Sequence, residues 1–398
     1  MIPKYRQAFN QSFSNSKYLQ LQQVVESTFQ QKLGFRLLET PVFLPKNLVK
    51  QLQQASQSII KQLQQASFRK ETHQSIPNNW LVPNEDEHPV FLQFDFALTL
   101  NNKQEIQPQL IELQGFPALF FFQIAALKGF SLMMDLAGLS PYYGDLEQPS
   151  YIELLRQNIL GTHHPENVIL LEHDPWQQKT AIDFAGAQQI LGIPVIDIRD
   201  VQRKGNKLFY KNKKGRLIPI FRIFNRVIFD ELTPYRHQDW DFNLTQAVDV
   251  EWAGHPNWFL KYSKFALPYL QGAFAPKSIF LDQWNGDESS LNQSVLKPIY
   301  SFSGNGVHIT PTKEIIAHIQ NKKQYVLQEK ITYAPLLESP KKQFSQVEVR
   351  VMLIQDPNEK GKYHFMTNLV RAGREGIIGT QHQQEYDWTG GGIGLMGS

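Results

Sequence analysis

The stretch VFLQFDFALT at 90–99, followed beyond Asn101 and Asn102 by QLIEL at 109–113, decides the reading of the fold. Valine, phenylalanine, leucine and threonine suit a pleated, half-buried surface, and the polar residues between the segments supply a turn, which predicts an antiparallel strand pair. The pair sets two carboxylates, Asp95 and Glu112, on neighbouring strands. Far along the chain, SVLKPIY at 294–300 predicts a strand carrying Lys297. The run Ser303-Gly304-Asn305-Gly306 then predicts a turn, and 307–310 the returning strand of a hairpin.

Together these residues form a chemical set. A lysine presents a point charge to phosphate oxygens, a glycine-rich tip lets backbone amides approach them, and two carboxylates are hard oxygen ligands for magnesium. The combination points to ATP chemistry. Taken singly, each has a plainer reading: an exposed strand lysine, a strand-end carboxylate, an ordinary turn.

Other chemistries are excluded or unsupported. The chain of 398 residues contains no cysteine, so disulfides, thiolate zinc sites, iron–sulfur clusters and cysteine nucleophiles are absent by composition. No Walker run occurs, and Gly304-x-Gly306 lacks the third glycine and following helix of a dinucleotide fingerprint. Histidines 163, 164 and 255 have no zinc spacing. Forty basic against 37 acidic side chains give a net charge of +3 with no long basic tract, which predicts no nucleic-acid partner. The N-terminus shows no secretory pattern, which predicts a cytoplasmic location. The apolar run at 117–134 is interrupted by Gln123 and Lys128, and predicts a buried helix and no membrane partner.

The remaining texture is mixed α+β or α/β. Residues 1–89 predict a mainly helical region. QLQQAS recurs at 51–56 and 62–67, a spacing that keeps one helical face, so one long amphipathic helix is expected there. Pro77, Pro83 and Pro89 mark a connection. VILLEH from 168, a helix with Ala181, Phe184, Ala185 and Leu191 on one side, and IPVIDIRD at 193–200 form a βαβ unit. A hairpin at 204–216, a strand at 217–227, strands at 325–330, 346–354 and 363–371, and a glycine-rich end at 389–394 complete the chain.

In order, these motifs resemble the circularly permuted ATP-grasp family, which includes the synthetase domain of glutathionylspermidine synthase. In that family a DF…LLExN segment with the metal ligands precedes a VKP…GxGV segment with the nucleotide lysine. Here FDFALT and PQLIELQGFPA precede VLKPIYSFSGNGV, and the βαβ unit between them resembles the family's α/β insert. The resemblance spans about 90–395. It implies an ATP-grasp fold in permuted order, with one large-lobe half at 90–150, an insert at 151–250, a nucleotide-clamping lobe at 251–330 and the second half at 331–398. Residues 1–89 lie outside it.

Residue by residue, the resemblance implies that Lys297 and Lys264, with Lys261 an alternative to the latter, reach the nucleotide phosphates. It implies that Ser303, Gly304, Asn305 and Gly306 close over them, and that Gln328, Glu329 and Lys330 form the hinge at adenine. Asp95, Glu112 and Gln114 are then the magnesium ligands, and Arg350 and Arg371 hold phosphate and developing acyl-phosphate charge. Cross-strand pairing with Glu348 or Glu375 is the other reading of both arginines. The implied activity is an ATP- and magnesium-dependent ligase that activates a small-molecule or peptide carboxylate and joins it to an amine. Gln114 stands where the family has asparagine and Gln93 where it often has arginine. These departures leave open an ATP-binding protein without turnover, and a phosphotransferase is a further alternative.

Overall fold

The computed structural model describes residues 1–398 apart from 236–237, 302–303, 375, 377, 379–385 and 398. The expected strand pair is present: Phe91–Leu100 and Ile106–Gln114 run antiparallel, with Asp95 opposite Glu112. Its turn closes on the side chain of Asn101, whose Oδ1 accepts the backbone N–H groups of Lys103 and Glu105, each at 2.9 Å.

This pair forms one edge of the largest sheet, which runs Val42–Leu44, Gly390–Gly397, Tyr363–Gly373, Phe344–Gln355, Phe91–Leu100, Ile106–Gln114. Because strand side chains alternate between faces, Leu92, Phe94, Phe96 and Leu98 enter the main core, while Asp95 joins Glu348 and Arg350 of the adjacent strand along a cavity. The glycine-rich end is itself a strand. A side chain at Gly394 would place its Cβ 2.0 Å from Asn368 Oδ1, so only glycine permits this pairing.

The helices Asn15–Phe29 and Phe122–Ser131 pack together beside this sheet, and Val42–Leu44 joins it in parallel with Gly390–Gly397. Residues 1–89 therefore share the main core with the C-terminal strands. Two expectations for helices are corrected. The QLQQAS repeat is not one helix: Lys46–Leu63 ends inside the second copy, Gln65 is extended (φ −65°, ψ 139°), and Ala66–Thr72 starts anew. The break lets both Leu63 and Phe68 be buried. The helix expected over 117–134 is only Phe122–Ser131, because the buried Asp183 carboxylate holds the N–H groups of Leu119, Phe121 and Phe122 in the turn before it.

The βαβ unit belongs to a parallel sheet ordered Glu251–Ala253, Arg222–Asn225, Val168–Glu172, Val195–Asp197, with helix Ala181–Leu191 between the last two. The single strand expected at 217–227 is two. Leu217–Ile220 completes a three-stranded hairpin sheet, the exposed Phe221 turns to donate to Asn167 O, and Arg222–Asn225 enters the parallel sheet. A fourth sheet, ordered Ser278–Phe280, Tyr325–Glu329, Ser294–Pro298, His308–Ile309, carries Lys297. Among the described residues no helix is long and apolar enough to cross a membrane.

Candidate active site

The largest sheet, the parallel sheet and the Lys297 sheet all contribute walls to one cavity of about 800 Å³. On the wall from the largest sheet, Asp95 is fully enclosed by arginines. Arg350 Nε and Nη2 donate to its two oxygens at 2.6 and 2.7 Å, and Arg371 Nη2 donates to Oδ2 at 2.6 Å. Burial by itself raises the pKa of Asp95, but the two guanidinium groups outweigh it and hold the carboxyl at about 2. Arg371 also pairs with Glu348 at 2.9 Å, and Glu348 accepts the Tyr333 hydroxyl at 2.6 Å. Arg350 Nη1 donates to Gln93 Oε1 at 3.1 Å.

The cross-strand reading is thus met for Arg371, which pairs with Glu348, whereas Arg350 takes Asp95. Glu375 lies outside the described residues. Gln93 has a local purpose, since its amide oxygen accepts from Arg350 Nη1, the nitrogen that does not bond Asp95. With both its oxygens accepting from arginine, Asp95 is a counter-ion in this arrangement, and the more accessible carboxylate opposite it is Glu112, which pairs with Lys264 through one oxygen.

On the opposite wall, Lys297 is buried, donating to Gln328 Oε1 at 2.6 Å and to Ile111 O at 2.9 Å. Burial pulls its pKa down to about 8, with Lys264 adding to the depression. Lys264 reaches Glu112 Oε1 at 3.2 Å and the carbonyl of Ser301. Lys261, the competing choice, turns away to pair with Glu85. Gln114 lines the cavity next to Glu112, its Nε2 3.5 Å from Glu112 Oε1.

The glycine tip contributes Gly304 to the cavity lining; Asn305 and Gly306 are exposed at the turn. Gly306 has φ +68°, and a Cβ there would come within 2.9 Å of Pro298 Cγ, which reserves the position for glycine. Ser303 lies outside the described residues. At the sheet end Gln328 is buried, whereas Glu329 and Lys330 line the rim, Lys330 Nζ donating to Thr310 Oγ1 at 3.0 Å.

Besides Glu348, expected as a partner of the arginines, the lining includes Tyr333, Glu172, Arg226 and Glu231, which no sequence motif singled out. Tyr333 and Glu348 sit against the arginines, and Glu172, Arg226 and Glu231 line the end nearest the parallel sheet. A signal for the last group was present: Glu172 ends one parallel strand and Arg226 directly follows another, and ligands of open parallel sheets bind at those carboxyl ends. Among the described residues no group of three or more His, Asp or Glu side chains is arranged to hold a metal ion. Glu112 and Gln114 nevertheless line the cavity together; Gln114 turns its amide nitrogen toward Glu112, and rotation of that amide would set its oxygen beside the carboxylate as a hard-donor pair of the kind magnesium accepts.

No family model and no curated protein matches the chain. Solved structures do. A glutathione synthetase-like effector from Globodera pallida, in its apo form, aligns over 90% of this chain and 94% of its own, with 13% identity and a TM-score of 0.60. A putative gamma-glutamylcysteine synthetase from Methylobacillus flagellatus KT aligns over 86% of each chain with 11% identity and a TM-score of 0.40. The chain is a mixed α+β protein whose fold is similar to that of the glutathione synthetase-like effector.

Proposed function

We propose that the protein is an ATP- and magnesium-dependent ligase of the ATP-grasp type in permuted order. On this reading it converts a carboxylate to an acyl phosphate and transfers the acyl group to an amine. The observation that carries this reading is Lys297: a buried lysine with a strongly lowered pKa, beside a second buried lysine, on a cavity that also holds two arginines. Lys264, Arg350 and Arg371 each have a carboxylate partner, whereas Lys297 contacts only the amide oxygens of Ile111 and Gln328, and a polyphosphate would supply the anion that its buried charge lacks.

In this proposal Lys297 and Lys264 bind phosphate oxygens, Gly304 to Gly306 cover them, and Gln328, Glu329 and Lys330 flank adenine. Glu112 and Gln114 hold magnesium, which supplies charge neutralisation at the phosphates. Arg350 and Arg371, oriented by Asp95 and Glu348, face the reacting carboxylate. A carboxylate oxygen attacks the γ-phosphorus and ADP leaves; the amine then attacks the acyl carbon, phosphate leaves, and the nitrogen loses a proton. Such transfer needs positioning and charge stabilisation more than covalent help, which is what fixed arginines and lysines provide. ADP release from ATP and magnesium, followed across carboxylate and amine pairs, tests the reading. Release that requires both partners supports it; intact ATP binding with no release across a broad panel refutes it.

The enclosure of Asp95 by both arginines favours one alternative, an ATP-binding protein without turnover. That protein would bind ATP equally with and without magnesium.

A further inference from the structure

The end of the cavity away from Lys297 has its own composition. It lies at the carboxyl edge of the parallel sheet, between Val168–Glu172 and Arg222–Asn225. From Val168–Glu172 the chain passes through its helix to the strand on one side, Val195–Asp197. The later strands, Arg222–Asn225 and Glu251–Ala253, lie on the other side. The order therefore reverses between these two neighbours, and the crevice outside such a reversal is where open parallel sheets bind ligands.

Arg226 stands in that crevice. It is 5% exposed, and its guanidinium carbon lies 4.9 and 5.2 Å from the ring centres of Phe116 and Phe184. Among the described residues neither its Nε nor its Nη1 has a hydrogen-bond partner, and the carboxylates of Asp183, Glu172 and Glu231 act on it through space. The nearby Asp183 is already committed, accepting three backbone N–H groups at 2.7 to 3.1 Å. A guanidinium that lines the cavity and is held between two rings suits a planar anion such as a carboxylate.

Two further carboxyls share the crevice. Glu172 is buried at the strand end, and Glu231 accepts Gln178 Nε2 at 3.1 Å. Burial raises the pKa of both, a penalty that a bound cation relieves. Arg226 is the cation that faces both carboxyls, so an anion alone would draw on the positive charge that compensates both. A polyamine alone would leave Arg226 unpaired and repelled.

We propose that this crevice is a binding subsite for an amino-acid group, its carboxylate on Arg226 and its ammonium on Glu172 and Glu231. The proposal rests on the ligase reading only in making that group a substrate; the binding itself does not require ATP. The test is titration calorimetry of the full chain, without ATP or magnesium, against glycine, L-alanine, L-glutamate and the dipeptide Ala-Ala, with acetate as a purely anionic and spermidine as a purely cationic control. The free amino acids separate a free ligand from the amino-acid end of a peptide, which the dipeptide represents.

Binding of a zwitterion at least tenfold tighter than either control supports the subsite. So does a tenfold or greater loss in Arg226→Gln with an unchanged far-ultraviolet spectrum. Glu231→Gln, at the less buried wall, should weaken the zwitterion without weakening acetate, and keeps the test available if Arg226→Gln does not fold. No binding by any zwitterion, or spermidine or acetate binding as tightly, overturns the proposal. Zwitterion binding without ADP release would sink the ligase reading and leave the subsite standing. ADP release that is indifferent to Arg226 would do the reverse.

Discussion

Lys297 makes the proposed nucleotide site sensitive to alkaline pH in a way that can be calculated. In the free protein burial brings its pKa down from 10.5 to about 8. A phosphate oxygen against the ammonium favours the charged form and returns the value toward the ordinary range. The linkage has a definite sign: the bound state holds the proton more tightly than the free state, so binding takes up protons between the two values and affinity falls as pH rises above about 8. A site that binds only with Lys297 charged takes up about 0.1 proton at pH 7 and about 0.8 at pH 8.5, and loses about tenfold in affinity between pH 7 and pH 9.

Calorimetry at pH 8.5 in two buffers of different ionisation enthalpy measures this uptake directly. Lys297→Met, which retains the stem without the charge, subtracts the contribution of every other group, including the nucleotide. The same proton uptake in wild type and in folded Lys297→Met would refute the placement of this lysine on the phosphates. The sign for folding differs. A lysine pKa lowered in the folded state destabilises it at neutral pH, so that contribution is regained as pH rises from about 8 to about 10.5.

Other expectations concern the remaining walls. Lys297→Ala should weaken ATP binding tenfold to a hundredfold, about 1.5 to 3 kcal/mol for a charged contact, with the fold retained by circular dichroism. Glu112→Gln should abolish magnesium-dependent turnover while sparing magnesium-free ATP binding; an identical magnesium response in variant and wild type excludes Glu112 as a ligand. Gln114→Asn should leave activity within about an order of magnitude, since an amide oxygen remains one methylene away. Asp95→Asn leaves the buried Arg350 without a carboxylate and removes one of the two that Arg371 holds, and should cost about 3 to 5 kcal/mol in urea unfolding; an unchanged midpoint would show that the pairs are not structural. Because the Asp95 pKa is depressed from 3.8 to about 2, its stabilisation is present above pH 4 and lost as pH falls toward 2.

The parts of this fold that the chain announces are those whose cause is local. Strand formers on both sides of Asn101 determine the first pair, the spacing of apolar residues determines the βαβ unit, and Gly304 and Gly306 mark the turn beside Lys297 because left-handed backbone favours glycine. Local rules also explain the misreadings. Repetition of QLQQAS implies one helix, and only the burial of both Leu63 and Phe68 breaks it. The helix at 122–131 starts where it does because Asp183, about sixty residues on, captures the preceding turn.

The site itself belongs to the tertiary structure. Lys261 and Lys264 have equal claims in sequence, and packing sends one to Glu85 and the other to Glu112. Asp95 and Arg350 are 255 residues apart and meet because the strand register sets them directly opposite. Arg226 is unremarkable in RIFNRV until the parallel sheet brings it beside Glu172 in the same crevice. Periodicity along a chain records which side of an element is buried; which charges share that buried space is settled by the register and crossing of elements distant in sequence.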